Sequence, residues 1–167
     1  MMIFKDADIE AAVKHCAAGK FRNAGQVCIS PTRFFIEEPV YDEFIKSFKS
    51  HVEAINVGDG LDSKSTMGPL VADRRLEVME DFISDAVSSG GEVISGGGRG
   101  QSPGSFFEPT LIRDVPDTAK IMIEEPFGPV APSASFSSID EIIERANSLP
   151  FGLASYAFTR NPRTSQI

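Results

Sequence analysis

The chain has 167 residues, 41% of them hydrophobic and 24% charged, with a formal net charge of −8 at pH 7. That length suits one globular domain with its own core, and the composition is that of neither a disordered tail nor a membrane protein. The acid excess, with no basic run, argues against nucleic acid as a partner, and no apolar run is long enough to span a bilayer.

The opening Met1-Met2-Ile3-Phe4-Lys5 is too short and too soon followed by acid to read as a secretory signal. With two cysteines and no export signal, a reducing, cytoplasmic setting is expected, and a disulfide between Cys16 and Cys28 is not. Asp6 or Asp8 can cap a first helix, whose apolar positions Ile9, Val13, Cys16 and Ala17 share one face, with Gly19 as its stop. On that face Cys16 is an inert packing residue. A turn-forming segment follows and ends at Cys28. Residues 32–36 then read as a strand, rich in aromatic and β-branched side chains.

Pro39 suits the first turn of a second helix, with Val40, Phe44, Ile45, Phe48, Val52 and Ile55 as its buried stripe. His51 lies beside this stripe and His15 on the first helix; neither has a partner at ligand spacing, so both read as ordinary helix histidines. A polar loop runs from Asn56 to the Met67-Gly68-Pro69-Leu70 turn. A third helix, with Leu76, Met79, Phe82, Ile83, Ala86 and Val87 inward, ends at Gly90-Gly91.

Residues 92–95 form a short strand. The glycine run at 96–100 lacks the Lys-Ser/Thr pair and the helix of a phosphate loop, so it reads as a flexible loop. The extended segment 106–112 is broken by Pro109, which predicts an edge or irregular strand. Glu124-Glu125-Pro126-Phe127-Gly128-Pro129-Val130 is a second tightly constrained loop. A strand over 131–136 follows, then a helix with a Ser138/Glu141 capping box, stopped at Pro150. A last strand is expected over 153–158, with a frayed end over 161–167. Helices alternating with strands predict an α/β fold, a largely parallel sheet with flanking helices.

Three constellations could carry chemistry. Cys28 with Arg22 six residues before it could be an activated thiol, because a nearby cation favours the thiolate; a buried cysteine opening a strand fits the same pattern. Glu124 and Glu125 beside Phe127 could share acid–base work or grip sugar hydroxyls, or decorate a solvated turn. A metal site has no ligand spacing to support it, and there is no Gly-x-Ser-x-Gly elbow.

Phe21-Arg22-Asn23-Ala24-Gly25-Gln26-Val27-Cys28 resembles the active-site cysteine motif of the NAD(P)-dependent aldehyde dehydrogenase superfamily, and Glu125-Pro126-Phe127-Gly128-Pro129-Val130 resembles its second signature. Residues 3–8, 67–70, 107–110 and 151–154 match in the same order, so the resemblance covers the chain. It implies a partial catalytic domain over 1–167. Cys28 is then the nucleophile that forms a thiohemiacetal and then a thioester, with its backbone N–H as an oxyanion donor. Glu125 and Phe127 become contacts for the nicotinamide ribose end of NAD or NADP.

The run from Lys20 to Gln26 is similar to the succinate-semialdehyde dehydrogenase branch, where an arginine at the place of Arg22 binds the substrate's distal carboxylate. Arg22 could equally brace the loop. Some members of that branch carry a second cysteine two residues after the nucleophile. Here that position is Ser30, so a disulfide switch is not expected.

The resemblance also implies that the family's catalytic glutamate and its cofactor-binding domain lie outside this sequence. The expectations are therefore a small aldehyde as substrate, weak or no cofactor binding by the isolated chain, and homo-oligomers for the full-length relative. A catalytically silent module that joins full-length subunits, or a residual thiol esterase, are the alternatives.

Overall fold

In the computed structural model, which describes residues 1–166, the chain alternates strands and helices as the patterning predicts. The strands are β1 (Met2–Ile3), β2 (Phe34–Glu37), β3 (Glu92–Ser95), β4 (Thr110–Arg113), β5 (Val130–Phe136) and β6 (Ala157–Phe158). The helices are α1 (Ile9–Phe21), α2 (Tyr41–Glu53), α3 (Arg74–Ser88), α4 (Lys120–Ile123) and α5 (Ile139–Ala146). One six-stranded sheet runs in the order β3-β4-β5-β2-β1-β6, parallel throughout except for the antiparallel β3–β4 pair.

Local chemistry sets most of these boundaries. Asp8 caps α1 by accepting the Ala11 N–H at 3.1 Å, and Ser138 caps α5 by accepting from Glu141 N at 3.3 Å. The Glu141 carboxylate takes its bonds from the Ser137 N–H and hydroxyl, one residue before the cap. α1 packs on α2, and α2 lies against β2, β3 and β4. Phe48 of α2 meets Phe21, Phe34 and its own helix neighbour Phe44 with ring centroids 5.4–6.3 Å apart, forming the aromatic centre of the core.

Several expectations need correction. α1 runs through Gly19 to Phe21, because Lys20 and Phe21 are both buried and the packing outweighs glycine's weak helix propensity. The segment around Pro109 leads into an interior strand, not an edge. Pro109 precedes β4, so its missing N–H removes no ladder bond, and Thr110–Arg113 pairs with β3 on one side and β5 on the other. The last strand shortens to Ala157–Phe158, and α5 ends at Ala146, four residues before Pro150. The loop after β3 is tied down: Gly97 and Gly98 donate to Thr110 and Glu108, and Gly100 to Phe106. Residue 167, at the end of the expected frayed tail, lies outside the described residues.

The feature that matters for function is where two loops enter the sheet. Residues 22–33 lead into β2 and residues 124–129 into β5. These strands are parallel neighbours, with Phe34 opposite Ser133. Both loops therefore meet at the amino ends of the same strand pair.

Candidate active site

The thiol loop starts with an abrupt change of helical hand. Asn23, Ala24 and Gly25 have φ of 51°, 52° and 72°, three consecutive left-handed residues. Asparagine adopts this region readily, but alanine pays about 1 kcal/mol or more for it. Asn23 supports the turn by donating its side-chain amide to the Gln26 carbonyl at 3.1 Å and accepting the Gln26 N–H at 3.0 Å. A β-turn follows, closed by the Ser30 N–H on the Val27 carbonyl at 2.9 Å, with Cys28 at its second position. The Tyr156 hydroxyl donates to the Ile29 carbonyl at 3.0 Å and fixes the far side. The Cys28 side chain stands exposed at the tip.

The two cysteines are sorted by this geometry. Cys16, twelve residues earlier on the inner face of α1, is buried, and burial pushes its thiol up to about 12. A thiol so held is not a nucleophile near neutrality.

The second loop lies against the first. Phe127 is left-handed at φ 43°, and 38% exposed, so its ring offers an open apolar face. The exposed Glu125 lines a cavity of about 690 Å³ together with Cys28, Ile29, Ser30 and the stretch from Ala146 to Tyr156. The closest approach is backbone on backbone. A Cβ placed on Gly25 would sit 2.1 Å from the Gly128 carbonyl oxygen, and one on Gly128 would sit 2.2 Å from the Met79 sulfur. At Gly25 the clash is with fixed backbone and excludes a side chain; at Gly128 it is with the Met79 side chain, which would have to move.

Arg22 is exposed and lines a neighbouring cavity of about 590 Å³ with His15, Gly19 and Phe158. The two cavities share Met1, Ile29, Pro31 and Tyr156 as a common wall. The structure thus brings Cys28 and Glu125 to one cavity and sets Arg22 on the next. His15 stacks on Phe158 at 6.2 Å, and His51 faces Glu10 at 3.6 Å, far along the α1–α2 surface.

The match to the aldehyde dehydrogenase family model covers residues 1–166. The chain belongs to the aldehyde dehydrogenase family. It is 44% identical over 160 residues to a probable NADP-dependent succinate-semialdehyde dehydrogenase of Sinorhizobium fredii, covering 96% of this chain and 33% of that protein. It is 41% identical to the NADP-dependent succinate-semialdehyde dehydrogenase GabD of Escherichia coli, with the same coverage. Among solved structures, the succinate-semialdehyde dehydrogenase of Burkholderia pseudomallei superposes with a TM-score of 0.98 at 38% identity, over 99% of this chain and 34% of that one. A 3,6-anhydro-L-galactose dehydrogenase in complex with NAP gives 0.96 at 39% identity, over 99% of this chain and 36% of that one. The chain spans about a third of the length of the curated relatives it matches.

Three residues around these loops carry more than their sequence shows. Gln26, inside the cysteine motif, accepts the Val71 N–H at 2.8 Å and donates to the Pro69 carbonyl at 3.4 Å. Arg75 donates to the carbonyls of Pro126 at 2.5 Å and Phe127 at 3.4 Å. Lys20 is wholly buried under both loops, and loss of water lowers its ammonium to about 7 despite the attraction of Glu125. No local pattern marks Gln26 or Arg75, since their partners lie 43 to 52 residues away. Lys20 sits in the last helical turn, where a cation normally faces water.

Proposed function

We propose that this chain is the thiol-bearing part of the catalytic domain of an NAD(P)-dependent aldehyde dehydrogenase that oxidises a small carboxylated aldehyde, succinate semialdehyde or a close relative, to its acid. The observation that carries the reading is the shared cavity: an exposed thiol on a rigid turn faces the same space as Glu125, on a second loop in backbone contact with the first.

The residues divide the work by their chemistry. The Cys28 thiolate attacks the aldehyde carbon, the C–S bond forms, and the carbonyl electron pair moves onto oxygen. The Cys28 N–H donates to no backbone carbonyl in the turns and loops of the described residues, so it is free to stabilise that oxyanion. Arg22, with its planar fork of donors, would hold the distal carboxylate of the substrate across the shared wall. The Glu125 carboxylate fits the hydroxyls of a nicotinamide ribose, and the open face of Phe127 fits a flat ring beside it. NAD or NADP, when bound, supplies two-electron oxidation of the thiol adduct; water then releases the acid from the thioester on Cys28. Two free thiols suit a reducing cytoplasm, and the remaining cofactor contacts and any subunit contacts belong to a longer protein of this family.

Limited alkylation with iodoacetamide at neutral pH, read by peptide mass spectrometry, tests the assignment. Cys28 should be modified well before Cys16, and the reverse order would remove the nucleophile from this reading.

A further inference from the structure

Four contacts between distant segments close into a ring around the site. Gln26 joins the thiol loop to the backbone of Pro69 and Val71. Five residues after Pro69, α3 begins, and its Arg75 reaches the carbonyls of Pro126 and Phe127. One turn further along the same helix face, Met79 is buried with its sulfur against Gly128. Gly128 in turn touches Gly25, back in the thiol loop. The ring therefore runs from the thiol loop through residues 69–71, along α3, into the loop at 126–128 and back.

We propose that Arg75 is a positioning residue for the Cys28 thiol, acting by closing this ring so that the two loops move as one body. The inference rests on Cys28 being the reactive thiol of the proposed function. The geometry gives Arg75 this part because its bonds bracket Phe127, whose left-handed φ of 43° is costly for a bulky side chain and needs its carbonyls held. Both bonds come from one guanidinium nitrogen, Nη2, which the planar group holds between the two carbonyls; a lysine ammonium carries the same charge on a shorter, flexible stem that does not fix a nitrogen there. Release at Arg75 leaves only the movable Met79 side chain between α3 and the loop at 126–128, so the Gly128 carbonyl can withdraw from Gly25 and the turn that carries Cys28 loosens. Gln26 closes the ring at its opposite end, so opening either contact has the same consequence.

The test is a double-mutant cycle on the alkylation rate of Cys28, using the whole chain as Arg75→Met, Gln26→Met and both together. A ring predicts that each single change speeds Cys28 alkylation by about three-fold or more, and that the double variant reacts no faster than the faster single, because a ring opens only once. Arg75→Lys should also react faster than the unmodified chain. Cys16 reports folding in the same digest: if Arg75→Met exposes Cys16, the milder Arg75→Lys decides the question on a folded protein. The proposal is overturned if Cys28 reacts at the unmodified rate in Arg75→Met, if the two single effects multiply in the double variant, or if Arg75→Lys restores the unmodified rate, which would make charge the cause. Failure of the underlying reading shows separately, as Cys16 reacting before Cys28 in the unmodified chain.

Discussion

Lys20 gives the sharpest physical test of the fold around this site. Burial lowers its ammonium from the ordinary 10.5 to about 7, even though the neighbouring Glu125 pulls in the opposite direction. Below pH 7 both the folded and the unfolded chain hold the proton, and the folded state bears the cost of a buried cation. Between pH 7 and 10.5 the unfolded chain remains protonated while the folded one has released its proton, so this group's contribution to stability rises with pH. At 1.36 kcal/mol for each tenfold change in proton affinity, the whole span is at most about 5 kcal/mol. Lys20→Met keeps the length of the stem and removes the charge. The variant should therefore be the more stable protein at pH 6, and its advantage should shrink by about 3 kcal/mol by pH 9. Two other groups titrate nearby. The Met1 amine, lowered by burial to about 5, adds stability as pH rises from 5 to 8, and Cys16, raised to about 12, removes it above 9. Both are common to the two proteins, so the difference between their urea midpoints, converted at equal slopes, isolates Lys20. A difference that stays constant from pH 6 to 9 would refute the reasoning, as would an unmodified chain that is the more stable of the two at pH 6.

Three further perturbations follow. Gly25→Ala places a methyl on the Gly128 carbonyl in a backbone with φ +72°, and should cost about 3 kcal/mol or more; Gly128→Ala meets the movable Met79 side chain and should cost less. Thermal melts of the two variants read the order. Arg145 donates to both Asp117 oxygens, to Glu141 and to the Ser135 carbonyl, with its guanidinium 4.8 Å from the centre of the Phe35 ring; Arg145→Met should lower stability by about 2 kcal/mol in a urea titration. Succinate semialdehyde should slow alkylation of Cys28 more than the uncharged butyraldehyde does, and Arg22→Leu should abolish that difference. Equal protection by both aldehydes in the unmodified chain would take the carboxylate role away from Arg22.

The sequence was most legible where a local rule had one physical outcome. Asp6 or Asp8 could cap only a helix that starts beside them, and Asp8 does so; residues 92–95, closed off by two glycines on each side, form the strand that their pattern predicts. Reading failed where burial from a distance overrode the local rule. Gly19 looks like a stop until Lys20 and Phe21 are both buried, Phe21 against Phe48 of α2. Pro109 looks like an edge marker until β4 begins one residue later between two partners. β1 has two residues and no periodicity to find, yet its place between β2 and β6 is fixed by pairing to both. The contacts of Gln26 and Arg75 were invisible for a related reason. They connect loops through hydrogen bonds to backbone carbonyls and N–H groups, and every residue offers those regardless of its side chain.

The two cysteines show how the fold turns a shared chemistry into a single candidate nucleophile. Both thiols begin with the same intrinsic acidity, and twelve residues separate them. Cys16 lies on the α1 face that packs into the core, where the thiolate would be stripped of water, and its proton is held to about 12. Cys28 stands exposed because the chain reverses its hand at Asn23, Ala24 and Gly25 before the β-turn closes. A continued right-handed helix would carry Cys28 along the α1 axis and away from the loop at 124–129. The left-handed step returns the chain across the top of β2 and β5, where Gly25 meets Gly128. Ala24 sustains an unfavourable backbone there while buried, so the strain of the turn is borne one residue before the contact that joins the two loops. The exposure of one thiol and the protection of the other are thus two results of where α1 ends.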